Sequence, residues 1–350
     1  MRVLVALSGG VDSSMAAALL VDQGHDVAGV HLTMADTPSG VPGEGCRTAD
    51  DAGDARRVAD ALDIPFSVWD LSAPFRERVV DDFVADYAAG RTPNPCIRCN
   101  ERVKYRAVLA RARAMGFDAL ATGHHVRLRR DATGHTRMLR AADAGKDQTY
   151  VLHMATQDEL AHTRWPVGEH AKDDLRAMAD ERGLGTASKP DSNDLCFVPD
   201  GDVAGFLAER LGARPGRIIG PGGEDLGEHQ GAYRFTIGQR RGLGLAGHGE
   251  PLYVTAIEGA TVHVGPREML ATASLEAEGA SWVSGSPPSA TTSLAAQVRY
   301  RGQALTCDLD DLGDGRIRVT FTDEPPVGVA SGQAVVLYDG QECLGGATIR

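Results

Sequence analysis

A short apolar run, Val3-Leu4-Val5-Ala6-Leu7, breaks into Ser8-Gly9-Gly10-Val11-Asp12-Ser13-Ser14 and then into the helix-like run Met15 to Leu20. Strand, glycine turn and helix in that order make an anion site. The glycines let backbone approach a phosphate, and serine hydroxyls and the first amides of the helix supply donors. Asp12 is out of place beside a phosphate alone, because it adds negative charge. A bound Mg²⁺ bridging its carboxylate to phosphate oxygens resolves the conflict. No Gly-Lys-Ser/Thr follows, so this is not a Walker loop.

The same alternation continues through the first half of the chain. Strand-like segments at 2–7, 27–32, 66–70 and 118–122 are interleaved with helical patterns at 13–22, 53–62, 74–89 and 101–115. Such alternation predicts an α/β fold, a parallel sheet with helices on both faces. Ligands then sit beyond the carboxyl ends of the strands, where Ser8–Ser13, His31-Leu32 and Gly123-His124 fall. From about residue 204 glycine and proline become frequent and helical runs thin out. Beyond 270, alternating runs at 294–300, 316–321 and 334–338 read as a small antiparallel barrel. The expected domains are 1–203, 204–269 and 270–350.

At 350 residues the chain can bury a sizeable core, and it holds no apolar stretch of membrane-spanning length. The start reads as a strand and not a signal peptide, so a soluble cytoplasmic protein is expected. A net charge of −12 argues against indiscriminate nucleic-acid coating. Charge is uneven, however. Acids crowd 50–86, whereas 98–113 carries Arg98, Arg102, Lys104, Arg106, Arg111 and Arg113 against Glu101 alone. Two solvated faces would explain this, but the basic run flanks cysteines, which favours phosphate contact.

Six cysteines in a chain this long are no secreted disulfide framework. Arg91-Thr92-Pro93-Asn94-Pro95-Cys96-Ile97-Arg98-Cys99-Asn100 is the informative segment. Its prolines are expected to preclude helix and leave Cys99 at the start of the basic helix, where amides and arginines favour thiolate. Cys-x-x-Cys alone is also half a zinc site or a redox dithiol, but no second pair is present at zinc spacing. Cys196, in Lys189-Pro190-Asp191-Ser192-Asn193-Asp194-Leu195-Cys196-Phe197, is by itself more often a buried cysteine than a catalytic one. Cys46, Cys307 and Cys343 read as small apolar residues.

SGGVDSS at 8–14 resembles the signature of the PP-loop ATP pyrophosphatases, which cleave ATP to AMP and pyrophosphate. Further motifs are TPNPCIRCN at 92–100, ATGHH at 121–125, KDQTYVL at 146–152 and SNDLCF at 192–197. GEHQGAYRFTIGQRRGLG at 227–244, RYRG at 299–302 and CLGGATI at 343–349 complete the set. In this order they resemble, end to end, the bacterial tRNA 2-thiouridine synthases, which thiolate the wobble uridine of certain tRNAs. The resemblance implies a PP-loop catalytic domain, a small central domain and a C-terminal β-barrel.

It also implies residue roles. ATP would lie against Ala6, Leu7, Ser8, Gly9, Gly10, Val11, Asp12, Ser13, Leu32 and Gly123, with Mg²⁺ at Asp12. The flipped target base would meet Asn94, Pro95 and Cys96. The tRNA would meet His124, Lys146, Asp147, Gln148, Tyr300, Arg301 and Gln333. Cys196 would carry a persulfide from an upstream sulfur carrier or cysteine desulfurase system, and Cys99 would be its partner nucleophile. Many relatives have Asp where this chain has Cys96, which puts a carboxylate proton-handling role there in doubt. The substitution opens an alternative in which Cys96, Cys99 and Cys196 hold an iron–sulfur cluster of the [4Fe-4S] type that delivers sulfide. Two other readings compete: amidating PP-loop ligases, which need ammonia and not paired cysteines, and a non-enzymatic RNA-binding metal module. Lysidine-type ligases share the loop but give Cys99 and Cys196 no task.

Overall fold

The computed structural model describes residues 1–34, 49–191, 195–198, 201–245, 250–288 and 293–350. Cys46 and the Ser192–Asp194 part of the Cys196 motif lie outside the described residues. Among them, a five-stranded parallel sheet runs in the order β3-β2-β1-β4-β7, from β1 (Arg2–Ala6), β2 (Asp26–Thr33), β3 (Phe66–Asp70), β4 (Ala119–Ala121) and β7 (Thr163–Arg164). β1 is central because Val3, Leu4 and Val5 are apolar on both faces, as a strand covered by helices on each side must be. Helix α1 (Val11–Asp22) follows it and buries Met15, Ala16, Ala17, Ala18 and Leu20. Its small side chains let it lie close to the sheet. Helix α2 is Ala49–Ala61.

The segment expected to be helical at 74–89 is helical from Ser72 to Ala88, and it includes a wide π turn at Arg76–Val80. We label it α3. The prolines do not preclude helix at 95. Pro95–Arg98, Cys99–Leu109 and Ala110–Ala114 wind on as one helix, α4, with Asn94 as its N-cap and Pro95 in the first turn. Proline costs nothing there, since that amide has no intrahelical partner. The Asn94 side chain accepts from the Cys96 amide at 3.1 Å. Cys96, not Cys99, therefore occupies the first turn, and Cys99 opens an eleven-residue π-wound stretch.

Short helices follow, among them α5 (Lys172–Glu181) and α6 (Val203–Leu211). A small four-stranded sheet comes next, in the order β10-β11-β8-β9. Its strands are β8 (Gly216–Ile219), β9 (Asp225–His229), β10 (Tyr253–Glu258) and β11 (Thr261–Gly265). Ile218, Phe235, Val254, Val262 and Val264 form its core.

Strands β12 (Ser274–Trp282), β13 (Leu294–Gln297), β14 (Leu305–Gly313), β15 (Arg316–Phe321), β16 (Ala334–Asp339) and β17 (Glu342–Ile349) close into an antiparallel barrel through the β12–β17 pairing. Leu275, Ala277, Val319, Val335, Leu337 and Ala347 fill it. Cys307 and Cys343 are buried, and burial pushes both thiols up to about 12, as packing residues require. One feature departs from the expectation of separate layers. The arginine-rich stretch 126–140 is a hairpin, β5 (Val126–Arg130) and β6 (Thr136–Arg140), and β6 pairs with β17 so that Met138 faces Cys343. The parallel-sheet unit thus lends two strands to the barrel sheet.

Candidate active site

Gly9 adopts a left-handed φ of 73°, and a Cβ there would come within 2.6 Å of the Asp51 carbonyl oxygen in the first turn of α2. Only glycine fits this turn. The Ser8 amide donates to Ser13 Oγ at 3.0 Å, while the Ser13 and Ser14 hydroxyls donate to the Gly10 carbonyl at 3.0 and 2.9 Å. Gly10 is the N-cap of α1 and has no side chain to cap its amides, which leaves the first turn open to an anion. Val11 and Leu7 are buried beneath the turn, Leu32 closes the end of β2, and Ala6 is half-buried.

Asp12 is held by three bonds. Lys172 Nζ donates to Oδ1 at 2.8 Å and Oδ2 at 2.7 Å, and His125 Nε2 donates to Oδ1 at 3.0 Å. Burial pushes its carboxyl up, but the His125 and Lys172 bonds and charges outweigh this and hold it below the usual range. His125 Nδ1 is buried with no partner. The His125 amide donates to Gln148 Oε1 at 2.9 Å, which brings Gln148 within two bonds of Asp12.

His124 caps the carboxyl end of β4. Burial, then the Lys104 and His125 charges, depress its pKa far below the usual histidine value, so it is neutral. Lys104 Nζ therefore donates to its Nε2 at 3.2 Å, and its Nδ1–H donates to Thr122 Oγ1 at 2.6 Å. Through Lys104 the strand end meets α4. Although Cys96 reaches the surface, the protein packed around its thiol pushes it up, as does the nearby Cys196, with the Lys104 ammonium opposing. Cys96 is exposed, Cys196 is half-buried and Cys99 is buried in the apolar core. Tyr300 completes this corner. Burial raises its phenol, Arg301 lowers it, and Cys96 and Asp147 raise it further.

The residues that the resemblance gives to tRNA separate into several groups. Gln333 Nε2 donates to the Thr92 carbonyl at 2.7 Å and pegs the barrel to the Asn94–Cys96 segment. Lys146 Nζ pairs with Asp191 at 2.7 Å. Asp147 is taken up internally by Arg140 at 2.7 Å, by the Thr149 hydroxyl at 2.8 Å and by the Ala141 amide at 3.2 Å. A cavity of about 340 Å³ lies between α4 and the barrel and includes Asn94, Arg98, Arg106, His153, Ser281 and Thr348 in its lining.

Most arginines of α4 have partners within the protein. Arg98 pairs with Asp82 at 3.0 Å and Asp86 at 2.6 Å, Arg102 pairs with Asp82, and Arg106 pairs with Glu101 at 2.7 Å. Arg113 pairs with Asp158 at 2.8 Å, and Arg111 stacks on Trp69. Part of the acidic run thus neutralises part of the basic one. Lys172 and Asp191 are not site candidates in the sequence, and Lys104 stands there only as one member of the basic run. Lys172 lies in an acid-rich stretch with no motif, so only the fold reveals it, whereas Asp191 stands in the Cys196 segment and was within reach.

Fit to the implied groups divides. A magnesium ion commonly takes one carboxylate plus phosphate oxygens and waters, which Asp12 beside this loop suits. The three thiols do not fit a cluster, because no three His, Cys, Asp or Glu side chains among the described residues are grouped to hold a metal.

Three family models cover the chain: "tRNA methyl transferase HUP domain" at residues 1–200, "tRNA methyl transferase PRC-barrel domain" at 204–266 and "Aminomethyltransferase beta-barrel domain" at 272–349. The curated "tRNA-specific 2-thiouridylase MnmA" of Thermobifida fusca is 50% identical over 353 residues, which covers 100% of this chain and 95% of that protein. The protein of the same name from Mycolicibacterium smegmatis is 50% identical over 360 residues, 100% of this chain and 99% of its own. The family-model labels speak of methyl transfer and the relatives of thiolation; full-length identity at this level decides for the relatives. No helix among the described residues is long and apolar enough to cross a membrane.

Proposed function

This chain belongs to the tRNA-specific 2-thiouridylases, ATP-using PP-loop sulfurtransferases that act on tRNA, and we propose that it activates the wobble uridine by adenylation and sulfurates it from a cysteine persulfide. The carrying observation is the Lys104–His124 contact, which joins the helix bearing Cys96 and Cys99 to the strand end beside Asp12.

The uridine O2 attacks the α-phosphorus of ATP, N3 gives up its proton, and pyrophosphate leaves onto the Ser8–Ser13 loop. Asp12 is the residue that would hold Mg²⁺, which neutralises phosphate charge when bound. A single-stranded base splays readily, and Asn94, Pro95 and Cys96 at the start of α4 would receive it. The terminal sulfur of a Cys196 persulfide, supplied by an upstream sulfur carrier, attacks C2, and AMP leaves. Cys99 thiolate then attacks Cys196 Sγ. The S–S electrons go to the sulfur on C2, N3 regains a proton, and 2-thiouridine and a Cys99–Cys196 disulfide result. An external thiol reduces that disulfide before the next turnover.

Anaerobic protein with ATP, Mg²⁺, unmodified tRNA and a persulfide donor (a cysteine desulfurase with cysteine) tests this, with 2-thiouridine read by mass spectrometry. Cys99→Ser and Cys196→Ser are expected to lose product, while Cys96→Ser keeps at least part of it. Equal dependence on all three thiols, with iron content tracking activity, would overturn the persulfide route.

A further inference from the structure

Lys172 opens α5 at only 6% exposure, and its ammonium lies between two carboxylates from different parts of the chain. Besides the two bonds to Asp12, its Nζ is 2.9 Å from Asp191 Oδ1. Asp191 Oδ2 takes Lys146 Nζ at 2.7 Å, and Oδ1 takes Arg176 Nη2 at 2.7 Å. Arg176 also donates to the carbonyls of Ala187 at 2.6 Å and Lys189 at 2.9 Å, which fixes Asp191 in place. An unbroken alternation of charge, Asp12–Lys172–Asp191–Lys146, therefore runs from the glycine loop to a residue assigned to RNA.

The ammonium at the centre of this chain is buried, so Lys172 cannot give up Asp12 without drawing more fully on Asp191. A charge that loses its counter-ion away from water is costly, so the neighbouring pair must tighten. A cation held by Asp12 would compete with the Lys172 ammonium and turn it toward Asp191. Asp191, already held by Arg176, binds Lys146 less firmly in return. Lys146 has a third of its side chain exposed, so its charge becomes available to a phosphate.

We propose that Lys172 is a positioning residue that couples the nucleotide loop to RNA binding, with Asp191 as the shared counter-ion and Lys146 as the output. This rests on the reading that the loop binds ATP with Mg²⁺ and that Lys146 meets tRNA. Coupling of binding free energies is reciprocal, so tRNA that draws Lys146 from Asp191 favours the nucleotide by the same factor.

The test is tRNA affinity of the full chain, with and without a non-hydrolysable ATP analogue plus Mg²⁺, at one fixed moderate salt concentration. In the wild type the nucleotide is expected to tighten tRNA binding by about fivefold or more, the low end of ordinary coupling. Lys172→Met is expected to bring that ratio to about one while each ligand still binds, and Lys172→Arg to retain most of it. Asp191→Asn, which keeps the side-chain shape, should lose the ratio too and decides the matter if Lys172→Met does not fold. A wild type that binds both ligands with a ratio of one overturns the coupling alone, as does an unchanged ratio in Asp191→Asn. A wild type that binds no nucleotide overturns the underlying reading and the coupling with it.

Discussion

Gly123 lies so close to Asp12 that a Cβ on it would come within 2.6 Å of both the Asp12 carbonyl carbon and the Ser13 amide nitrogen. The end of β4 and the first turn of α1 thus touch backbone to backbone, and no flexible side chain is there to yield. Overpacking of this kind costs about 1–3 kcal/mol and shifts backbone. Gly123→Ala is therefore expected to displace the first turn of α1 and lower nucleotide affinity about tenfold or more. Gly185 has open space where its Cβ would be, so Gly185→Ala is the matched control. Binding titrations with an ATP analogue and thermal unfolding of both variants check this; wild-type nucleotide affinity in Gly123→Ala would contradict it.

The Gln333 side chain holds the Thr92 carbonyl, and the Thr92 amide donates to the Ser331 carbonyl at 2.8 Å. The barrel therefore fixes the chain just before the N-cap of α4. A hydrogen bond of this type contributes about 0.5–1.5 kcal/mol net. Gln333→Ala is expected to raise the KM for tRNA about three- to tenfold and leave ATP affinity unchanged. Separate titrations of tRNA and nucleotide distinguish this from a general loss of folding.

The parallel sheet was readable from sequence because its strands are short runs such as Val3-Leu4-Val5, buried on both faces and punctuated by glycine. The β5–β6 hairpin was not, since Arg127, Arg129, Arg130, Arg137 and Arg140 mask its alternation. Three of those arginines are spent on contacts outside the hairpin: Arg129 on Glu169, Arg137 on Glu342, and Arg140 on Asp147 and the Tyr338 ring. The α4 start was missed because Pro95 breaks a helix only from within it. Ser8–Ser13 was legible as a local geometry that few glycine turns satisfy. Lys172 was not, because its meaning comes wholly from Asp12 and Asp191, brought to it by the fold.

Buried histidines set the acid limb of stability. Burial lowers the pKa of His153 to about 4, against an ordinary 6.5, while its Nδ1 stays bonded to the Tyr150 carbonyl at 2.9 Å. The unfolded chain takes up this proton first. Stability from His153 is therefore fully present above pH 6.5 and is lost as pH falls through 4. Asp191, held down to about 2 by Lys146 and Lys172 against the opposing effect of burial, loses its contribution only between about pH 4 and 2. Denaturant midpoints from pH 7.5 to 4 should fall in the wild type below 6.5, and less steeply in His153→Gln. Identical slopes would remove His153 as a cause and leave His124 and His229, both also shifted down by burial, to account for the fall.

The paired arginines of α4 and the lysine at Asp191 should respond oppositely to mutation. Arg98 is a counter-ion to Asp86, whose side chain is 6% exposed, so Arg98→Ala leaves that carboxylate with Arg91 alone. A half-buried pair broken on one side costs about 1–3 kcal/mol, which thermal unfolding reads directly. Since Arg98 is held by two carboxylates, Asp82 and Asp86, with only a quarter of its side chain exposed, the slope of log affinity for tRNA against log salt should stay as in the wild type. Lys146→Ala should lower that slope by about 0.7–0.9, the release expected for one phosphate contact, with little change in melting temperature. If Arg98→Ala flattens the salt slope and Lys146→Ala does not, the phosphate face lies along α4 after all and the assignment of Lys146 to RNA fails.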